Sequence, residues 1–172
     1  VDFVSTLIAG AAATGASVFF LGGEEGTAPE AARRAKVQHP SLQIAGVLEP
    51  PRRKLSDLPT AEIIETVRRS GARILLVALG HPKQDQWIAA NAQATGVSVA
   101  VGVGCTFDLI AGRVSRAPRF IQALGLEWIF RFIHEPLRLG PRYVSDGWYL
   151  LAVLLPHTVV QRLKWRPNAT LV

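Results

Sequence analysis

The sequence predicts an α/β fold, in which a doubly wound, mainly parallel sheet is followed by a C-terminal helical appendage. Two observations predict it. Apolar runs of six or seven residues alternate with segments of helical periodicity, an order typical of parallel strands joined by helices that cover both faces of a sheet. The net charge also divides the chain, since residues 1–112 are neutral and residues 113–172 carry all of the net +6. We therefore expect an α/β body at 1–112 and a basic helical appendage at 113–172.

The first half of the body has the pattern of a helix, a strand and a second helix. Val1–Thr14 is small and apolar with helical spacing, which indicates the end of a helix. Ser17–Gly22 is an apolar run that stops at two glycines, which is typical of a buried strand. Thr27 and Glu30 have the spacing of a capping box, so we expect a helix to follow and to extend to about Gln38.

The second half continues the alternation. Leu42–Val47 predicts the second strand, and Glu49–Leu58 predicts a loop because it holds two prolines and three consecutive basic residues. Thr60–Arg69 has helical periodicity and is closed by Gly71. The same criteria predict three further elements, namely the strand Arg73–Leu79, the helix Pro82–Ala94 and the strand Val97–Val103.

Composition and motif content exclude several classes of protein. Hydrophobic residues make up 49% of the chain, which excludes intrinsic disorder. The single cysteine, Cys105, excludes a disulfide framework and fits a reducing compartment. The four histidines lack metal-ligand spacing, and neither G-x-G-x-x-G nor G-x-x-x-x-G-K-[ST] occurs. We therefore expect no metal and no cofactor.

The C-terminal third is basic. Residues 113–172 contain nine basic and three acidic residues, and eight of the nine are arginines. Such a surface fits nucleic acid, an anionic membrane or a phosphorylated ligand, and the simpler alternative is a solubilising surface. Helical periodicity covers Phe120–Ile133 and Pro141–Leu155. The apolar run Gly147–Val160 is shorter than the roughly 20 residues that span a bilayer. Its aromatic and basic flanks favour a helix in the membrane interface, with a core helix or an oligomer contact as the alternatives.

Glycine-rich or polar loops follow three of the predicted strands, at Gly22–Gly26, Gly80–Asp85 and Gly102–Asp108. Ligands of parallel α/β sheets bind beyond the carboxyl ends of the strands, so we expect a nucleotide-type site there, with ordinary turn chemistry as the alternative. His81 has the location of an acid or base, although most loop histidines are structural. Glu49 follows the second strand, where a ribose ligand would lie, but without the glycine pattern we interpret it as a solvated loop residue.

Two long segments carry a family resemblance. They are LGHPKQDQW at Leu79–Trp87 and GVGCTFDLIAGRVSRAPRFIQALGLEWIFRFIHEPLRLGPRY at Gly102–Tyr143, and FLGG at Phe20–Gly23 is a weaker third point. Together they resemble the WecG/TagA/CpsF family of bacterial glycosyltransferases. The resemblance covers roughly Ser17 to Tyr143.

The resemblance implies a Rossmann-like body with a mobile, membrane-facing appendage. It implies an inverting, metal-independent transfer of a sugar, usually N-acetylmannosamine or its uronic acid, from a UDP-sugar to a polyprenyl-diphosphate-linked acceptor. That transfer serves cell-wall and cell-surface polysaccharide synthesis. The implied partners are the UDP-sugar, the lipid-linked acceptor and an anionic membrane surface, and the implied location is peripheral, on the inner face of the cytoplasmic membrane.

The resemblance also implies site residues. Gln84 is expected near the sugar and diphosphate, Asp108 at the nucleoside, and the appendage arginines at the phosphates of donor or acceptor. The substrate-binding residues expected are Gly22, Gly23, Gln84, Gly102, Gly104, Phe107, Asp108, Arg131, Arg138 and Arg142.

The chain departs from the family pattern at three places. Asp85 stands where the family has glutamate, and Glu49-Pro50-Pro51-Arg52 stands where it often has G-Y-F, whose aromatic stacks on uracil. The general base of the family is an aspartate in an N-terminal segment, so we expect the catalytic base upstream of Val1. Asp85 and Asp108 are the acids of the expected cleft and are weaker candidates for that role.

Three other functions remain as alternatives. One is an exopolysaccharide glucosyltransferase of the same family. The second is a non-catalytic module that binds a membrane surface. The third is a nucleic-acid-binding domain, which would need aromatic and basic residues alternating on an exposed strand, a pattern that the sequence lacks. We therefore expect no nucleic-acid partner.

Overall fold

A computed structural model describes residues 2–114 and 127–134, together with the single residues 118, 121, 140 and 152. The chain divides into two compact units, Val1–Ser115 and Arg116–Val172. Except for Ala152, the predicted helix Pro141–Leu155 and the apolar run Gly147–Val160 lie outside the described residues.

The first unit alternates helices and strands in the predicted order. Its helices are α1 (Asp2–Thr14), α2 (Thr27–Gln38), α3 (Thr60–Arg69), α4 (Lys83–Thr95) and α5 (Thr106–Ile110). Its strands are β1 (Ser17–Gly22), β2 (Gln43–Leu48), β3 (Ile74–Ala78) and β4 (Val99–Gly102). A single 3-10 turn, Leu55–Asp57, lies inside the predicted loop between β2 and α3. In the second unit, α6 (Glu127–His134) overlaps the predicted helix Phe120–Ile133.

The four strands form one sheet in the order β2-β1-β3-β4, and every neighbouring pair is parallel. This confirms the predicted α/β fold with a Rossmann-like sheet. The chain first adds β2 on one side of β1 and then adds β3 on the other side. The order of the strands therefore reverses between β1 and β3, which is where open α/β sheets bind their ligands.

Helices cover both faces of this sheet, as alternation along β1 requires. Val18 and Phe20 face a cluster that includes apolar residues of α1, α2 and α5, whereas Phe19 and Leu21 face a cluster built with α3 and α4. All four β1 side chains are buried. A strand that is apolar on both faces stabilises two layers of helices at once, and this explains why its sequence is an unbroken hydrophobic run.

The pairing of β1 with β2 contains a β-bulge. Val18 pairs with Ile44, but Phe19 pairs with Gly46, so Ala45 is the extra residue. A β-carbon on Gly46 would lie 2.5 Å from the ring of Phe19, which is 1% exposed and fully packed. Glycine at this position therefore gives the aromatic ring the room that the bulged strand needs.

The predicted capping box at the start of α2 is wrong. Gly26 is the N-cap residue, in a left-handed conformation with φ 73°, and Thr27 is already inside the helix with its buried hydroxyl lacking a hydrogen-bond partner. Glu30 does not reach back to the cap but forms ion pairs with Arg33 and Arg34. These two guanidinium groups lower the pKa of the Glu30 carboxyl to about 2.

Strand boundaries differ from prediction by one or two residues. Leu42 precedes β2 because its amide donates to the His39 carbonyl in the turn after α2. Val97 precedes β4 because the ladder to β3 begins only where Ser98 and Val99 donate to the Arg73 carbonyl. Helix α5 was not predicted, since its five residues are too few to produce a periodic signal.

Among the described residues, no helix has both the length and the apolar character that crossing a bilayer requires.

Replacing Gly22 with alanine tests the central packing of the sheet. The β-carbon would lie 2.6 Å from the Ala78 carbonyl oxygen at a residue with φ +94°, so we expect a loss of roughly 2–4 kcal/mol in the free energy of unfolding. Gly96→Ala is the matched control, because Gly96 has φ +74° but nothing within 4 Å of the added atom. It should cost about 1 kcal/mol. Equal losses in urea denaturation would contradict the packing explanation.

Candidate functional site

The candidate site lies at the carboxyl edge of the sheet. β1 ends at Gly22, β3 ends at Ala78 and β4 ends at Gly102, and these three strands are neighbours in the sheet. Because they are parallel, the loops that follow them start at the same edge. The fold thus brings the three loops that the sequence singled out to one side of the molecule.

Three of the predicted site residues meet at the β4 end of this edge. Gln84 lies in the first turn of α4 and is 8% exposed, and its Oε1 accepts a hydrogen bond of 3.1 Å from the Gly104 amide. A β-carbon on Gly102 would lie 2.8 Å from Nε2 of Gln84. The glycine at 102 therefore leaves room for the amide of Gln84, which holds the loop after β4 against the start of α4.

Gly22 and Gly23, at the end of β1, are explained first by strand packing. Gly22 has no room for a side chain beside the Ala78 carbonyl, and the Gly23 amide donates a hydrogen bond of 2.9 Å to that same carbonyl. Phe107 is fully buried, and its ring packs at 5.3 Å from that of Phe20. Phe107 thus belongs to the core below the edge, and its side chain has no surface open to a ligand.

Asp108 lies in the first turn of α5 and is half-buried. Its backbone carbonyl accepts a hydrogen bond of 2.9 Å from the Arg113 amide. The guanidinium of Arg113 donates a hydrogen bond of 2.8 Å to the Glu25 carbonyl, in the loop after β1. Arg113 therefore ties the segment that carries Asp108 to the opposite end of the candidate site.

The predicted arginines belong to the second unit. Arg131 lies in α6, whereas Arg138 and Arg142 lie outside the described residues. Their assignment to phosphate groups stays a prediction.

His81 and Asp85 form a hydrogen-bonded pair beside Gln84. Nδ1 of the imidazole lies 2.8 Å from a carboxylate oxygen of Asp85, and the two side chains are 55% and 54% exposed. When Nδ1 carries the proton and donates it to this bond, Nε2 is left as a proton acceptor. The geometry is compatible with the acid or base role considered for His81, and that role stays a prediction.

Glu49 is where the sequence interpretation was wrong. Its carboxylate is not a solvated loop group, because it accepts hydrogen bonds of 2.8 Å from the Gly26 amide and 2.7 Å from the Ala28 amide. It therefore caps the N-terminus of α2 from the end of β2. The one sequence signal for this contact is the acid itself, which follows β2. Because β2 pairs in parallel with β1, the residue after β2 lies beside the loop that leads from β1 to α2.

The loop after β2 is fixed to the same edge by two further contacts. Arg52 forms an ion pair of 2.8 Å with Glu24, in the loop after β1. Lys83, the first residue of α4, donates a hydrogen bond of 3.3 Å to the Arg53 carbonyl. The loop after β2, with its basic residues Arg52, Arg53 and Lys54, thus borders the candidate site between the first turns of α2 and α4.

Within the described part of the chain, no group of three or more histidine, cysteine, aspartate or glutamate residues has the arrangement of a metal site.

Replacing Gln84 with alanine tests the contact that joins the two loops. The change removes the acceptor of the Gly104 amide and leaves unfilled space beside Gly102, so we expect unfolding to become easier by about 1–2 kcal/mol. Gln86→Ala is the matched control on the same helix, since Gln86 is exposed, and its effect should stay below about 0.5 kcal/mol. Equally small effects in thermal denaturation would contradict a structural role for the Gln84 amide.

Comparison with known proteins agrees with the motifs and the fold. The model of the glycosyl transferase WecG/TagA/CpsF family matches residues 1–165. The N-acetylglucosaminyldiphosphoundecaprenol N-acetyl-beta-D-mannosaminyltransferase of Bacillus spizizenii is 34% identical over 137 residues, which are 80% of this chain and 51% of that protein. The chain thus spans about half the length of this curated relative. On the family match, which covers nearly the whole sequence, the chain belongs to the WecG/TagA/CpsF family of glycosyltransferases.

Proposed function

We propose that the chain contributes the donor-binding body of an inverting, metal-independent glycosyltransferase that uses a UDP-sugar. The acceptor is a sugar linked to polyprenyl diphosphate, as the name of the Bacillus spizizenii relative states for that protein. The observation that carries the proposal is the meeting of Gln84, Gly102 and Gly104 at the carboxyl edge of β3 and β4, on the same edge as the reversal of strand order between β1 and β3.

Each part of the edge has a role in this proposal. Asp108 binds the nucleoside from the first turn of α5, and Gln84 binds the sugar and diphosphate from the first turn of α4. Gly23 and Gly104 keep side chains out of the edge, so that a ligand can approach the backbone there, and Phe107 supports α5 from below. The side-chain amide of Gln84 keeps two N–H donors after it has accepted the Gly104 bond, and these suit phosphate or sugar oxygens.

Inverting transfer needs a base for the acceptor hydroxyl, stabilisation of the leaving diphosphate and alignment of the reacting atoms. We assign diphosphate stabilisation to Arg131, Arg138 and Arg142 of the second unit, whose guanidinium groups match phosphate oxygens. We assign the base to the upstream aspartate that the family resemblance implies. The donor sugar proposed first is N-acetylmannosamine, with its uronic acid or glucose as the alternatives within the family.

We also propose that the protein acts peripherally on the cytoplasmic face of the membrane. The charge distribution supports it, because residues 113–172 hold nine basic and three acidic residues while residues 1–112 are neutral. A lipid-linked acceptor lies at the membrane surface, so attraction between a basic segment and anionic lipids would bring the site to its substrate.

Titration calorimetry with UDP and ADP tests donor recognition. We expect UDP to bind more tightly than ADP in the presence of EDTA, because Asp108 at the nucleoside distinguishes uracil from adenine in the proposed site. Asp108→Asn should reduce the preference for UDP, whereas Asp57→Asn, in the loop before α3, should leave it unchanged. Equal binding of the two nucleotides, or binding that requires Mn²⁺, would contradict the proposal.

Sedimentation with anionic liposomes tests the membrane role. Each basic residue near such a surface contributes about 1 kcal/mol at low salt, so replacing Arg162, Lys164 and Arg166 with glutamine should remove roughly 3 kcal/mol of binding. The matched control replaces three exposed basic residues of the body, Arg68, Arg69 and Arg73, with glutamine. UDP binding should be the same in both triple variants. If both triple variants lose liposome binding equally, the attraction depends on total charge, and Arg162, Lys164 and Arg166 have no special role.

A further inference from the structure

The start of α2 holds an anion that belongs to the chain itself. The N-terminus of a helix that follows the first strand of a nucleotide-binding sheet is a ready-made phosphate site, because its free amides and its dipole attract negative charge. Here the Glu49 carboxylate accepts bonds of 2.8 and 2.7 Å from the amides of Gly26 and Ala28. The Thr27 amide donates a bond of 2.8 Å to the Glu24 carbonyl. Three consecutive donors at this helix start are thus already engaged.

The bulge in β2 brings Glu49 to this place. Because Ala45 is an extra residue, Leu48 pairs with Leu21, and Glu49 follows at the level of Gly22. Without the bulge, the same register from Ser17 onward would place Leu48 opposite Gly22, and Glu49 would lie one residue beyond. The room for the bulged strand comes from Gly46 against the Phe19 ring.

The residues around Glu49 keep it there. Arg52, three positions later, pairs with Glu24 across the two loops at 2.8 Å. On the other side of the loop after β1, the guanidinium of Arg113 is bonded to the Glu25 carbonyl. The loop after β1 is therefore held by the loop after β2 on one side and by Arg113 on the other.

We propose that Glu49 is a positioning residue that excludes the donor diphosphate from the start of α2. Its negative charge repels phosphate, and its two oxygens occupy the amides that phosphate would need. The diphosphate then lies toward the other end of the edge, at Gln84 and Gly104. The position of the diphosphate in turn fixes the orientation of the nucleoside. The inferred orientation of the ligand rests on the proposed UDP-sugar function. The exclusion of anions from the start of α2 is independent of that function.

Calorimetry with inorganic pyrophosphate, UDP and uridine tests the proposal on the 172-residue chain. Glu49→Ala frees both amides, so we expect its affinity for pyrophosphate to exceed that of the wild type by roughly tenfold. Glu49→Gln removes the charge but keeps one oxygen acceptor and the size of the side chain, so its gain in pyrophosphate affinity should be smaller. This variant also keeps the test valid if the alanine variant does not fold. Glu25→Ala is the matched control, because it removes an equal charge from the neighbouring loop after β1 without freeing the two amides.

A second measurement separates positioning from support of the fold. The preference for UDP over uridine reports the diphosphate contacts, so Gln84→Ala should reduce it at least several-fold, whereas Glu49→Gln should not reduce it. A merely structural Glu49 would lower the affinity for UDP and uridine together and would leave pyrophosphate binding unchanged.

The outcomes are distinct. Equal gains in pyrophosphate affinity for Glu25→Ala and Glu49→Ala, or no gain for either Glu49 variant, would overturn the proposal. A loss of the UDP-over-uridine preference in Glu49→Gln would also overturn it, because the diphosphate would then depend on the α2 end. If no variant binds UDP but Glu49→Ala still gains pyrophosphate, the proposed function fails and the exclusion of anions from α2 is supported.

Discussion

The parallel pairing of β1 with β3 is the constraint on which the rest of the body depends. The two strands lie side by side at the centre of the sheet, and each buries side chains on both faces. At their carboxyl ends the Ala78 carbonyl fits against Gly22 and accepts the Gly23 amide. This close fit fixes where β1 ends and where its loop turns. The loops after β3 and β4 then start at the same edge, so the geometry of the candidate site follows from a contact in the core.

The fold could be predicted from the sequence wherever its signals are local. The bounds of β1 and α3 agree with the predicted ones, because an apolar run with a glycine stop marks the first and helical periodicity marks the second. The reason for the glycines could not be predicted. Gly22 suggested close approach of a ligand, whereas the nearest obstacle to a side chain is the backbone of a strand more than 50 residues later. Helix α5 was missed because five residues give no periodic signal.

The candidate site could likewise be predicted only in part from the sequence. Gln84, Gly102 and Gly104 were identified from motifs, but that they touch one another depends on how α4 and β4 pack, which no motif states. Glu49 was misread because local rules give the cap of α2 to Thr27, three residues before an acid. Instead, the amides of Gly26 and Ala28 donate to Glu49, which lies 21 to 23 residues away along the chain. A cap supplied by a neighbouring strand requires the register of the sheet. That register includes a bulge, for which the glycine inside the strand, Gly46, is only a weak signal.

The charges of the edge bear on how a diphosphate could be stabilised. Glu24 is paired with Arg52, Glu49 with two backbone amides and Asp85 with His81. The helix dipole of α2, which would normally attract phosphate, is used by Glu49. In the proposed reaction, the sources of positive potential that remain for a diphosphate include the start of α4 and the cations of residues 113–172, where all of the net charge of +6 resides. In this proposal the body binds the donor without neutralising its charge, and the arginines of residues 113–172 supply the positive charge that stabilises the leaving diphosphate. Donor binding and charge stabilisation then depend on different parts of the sequence.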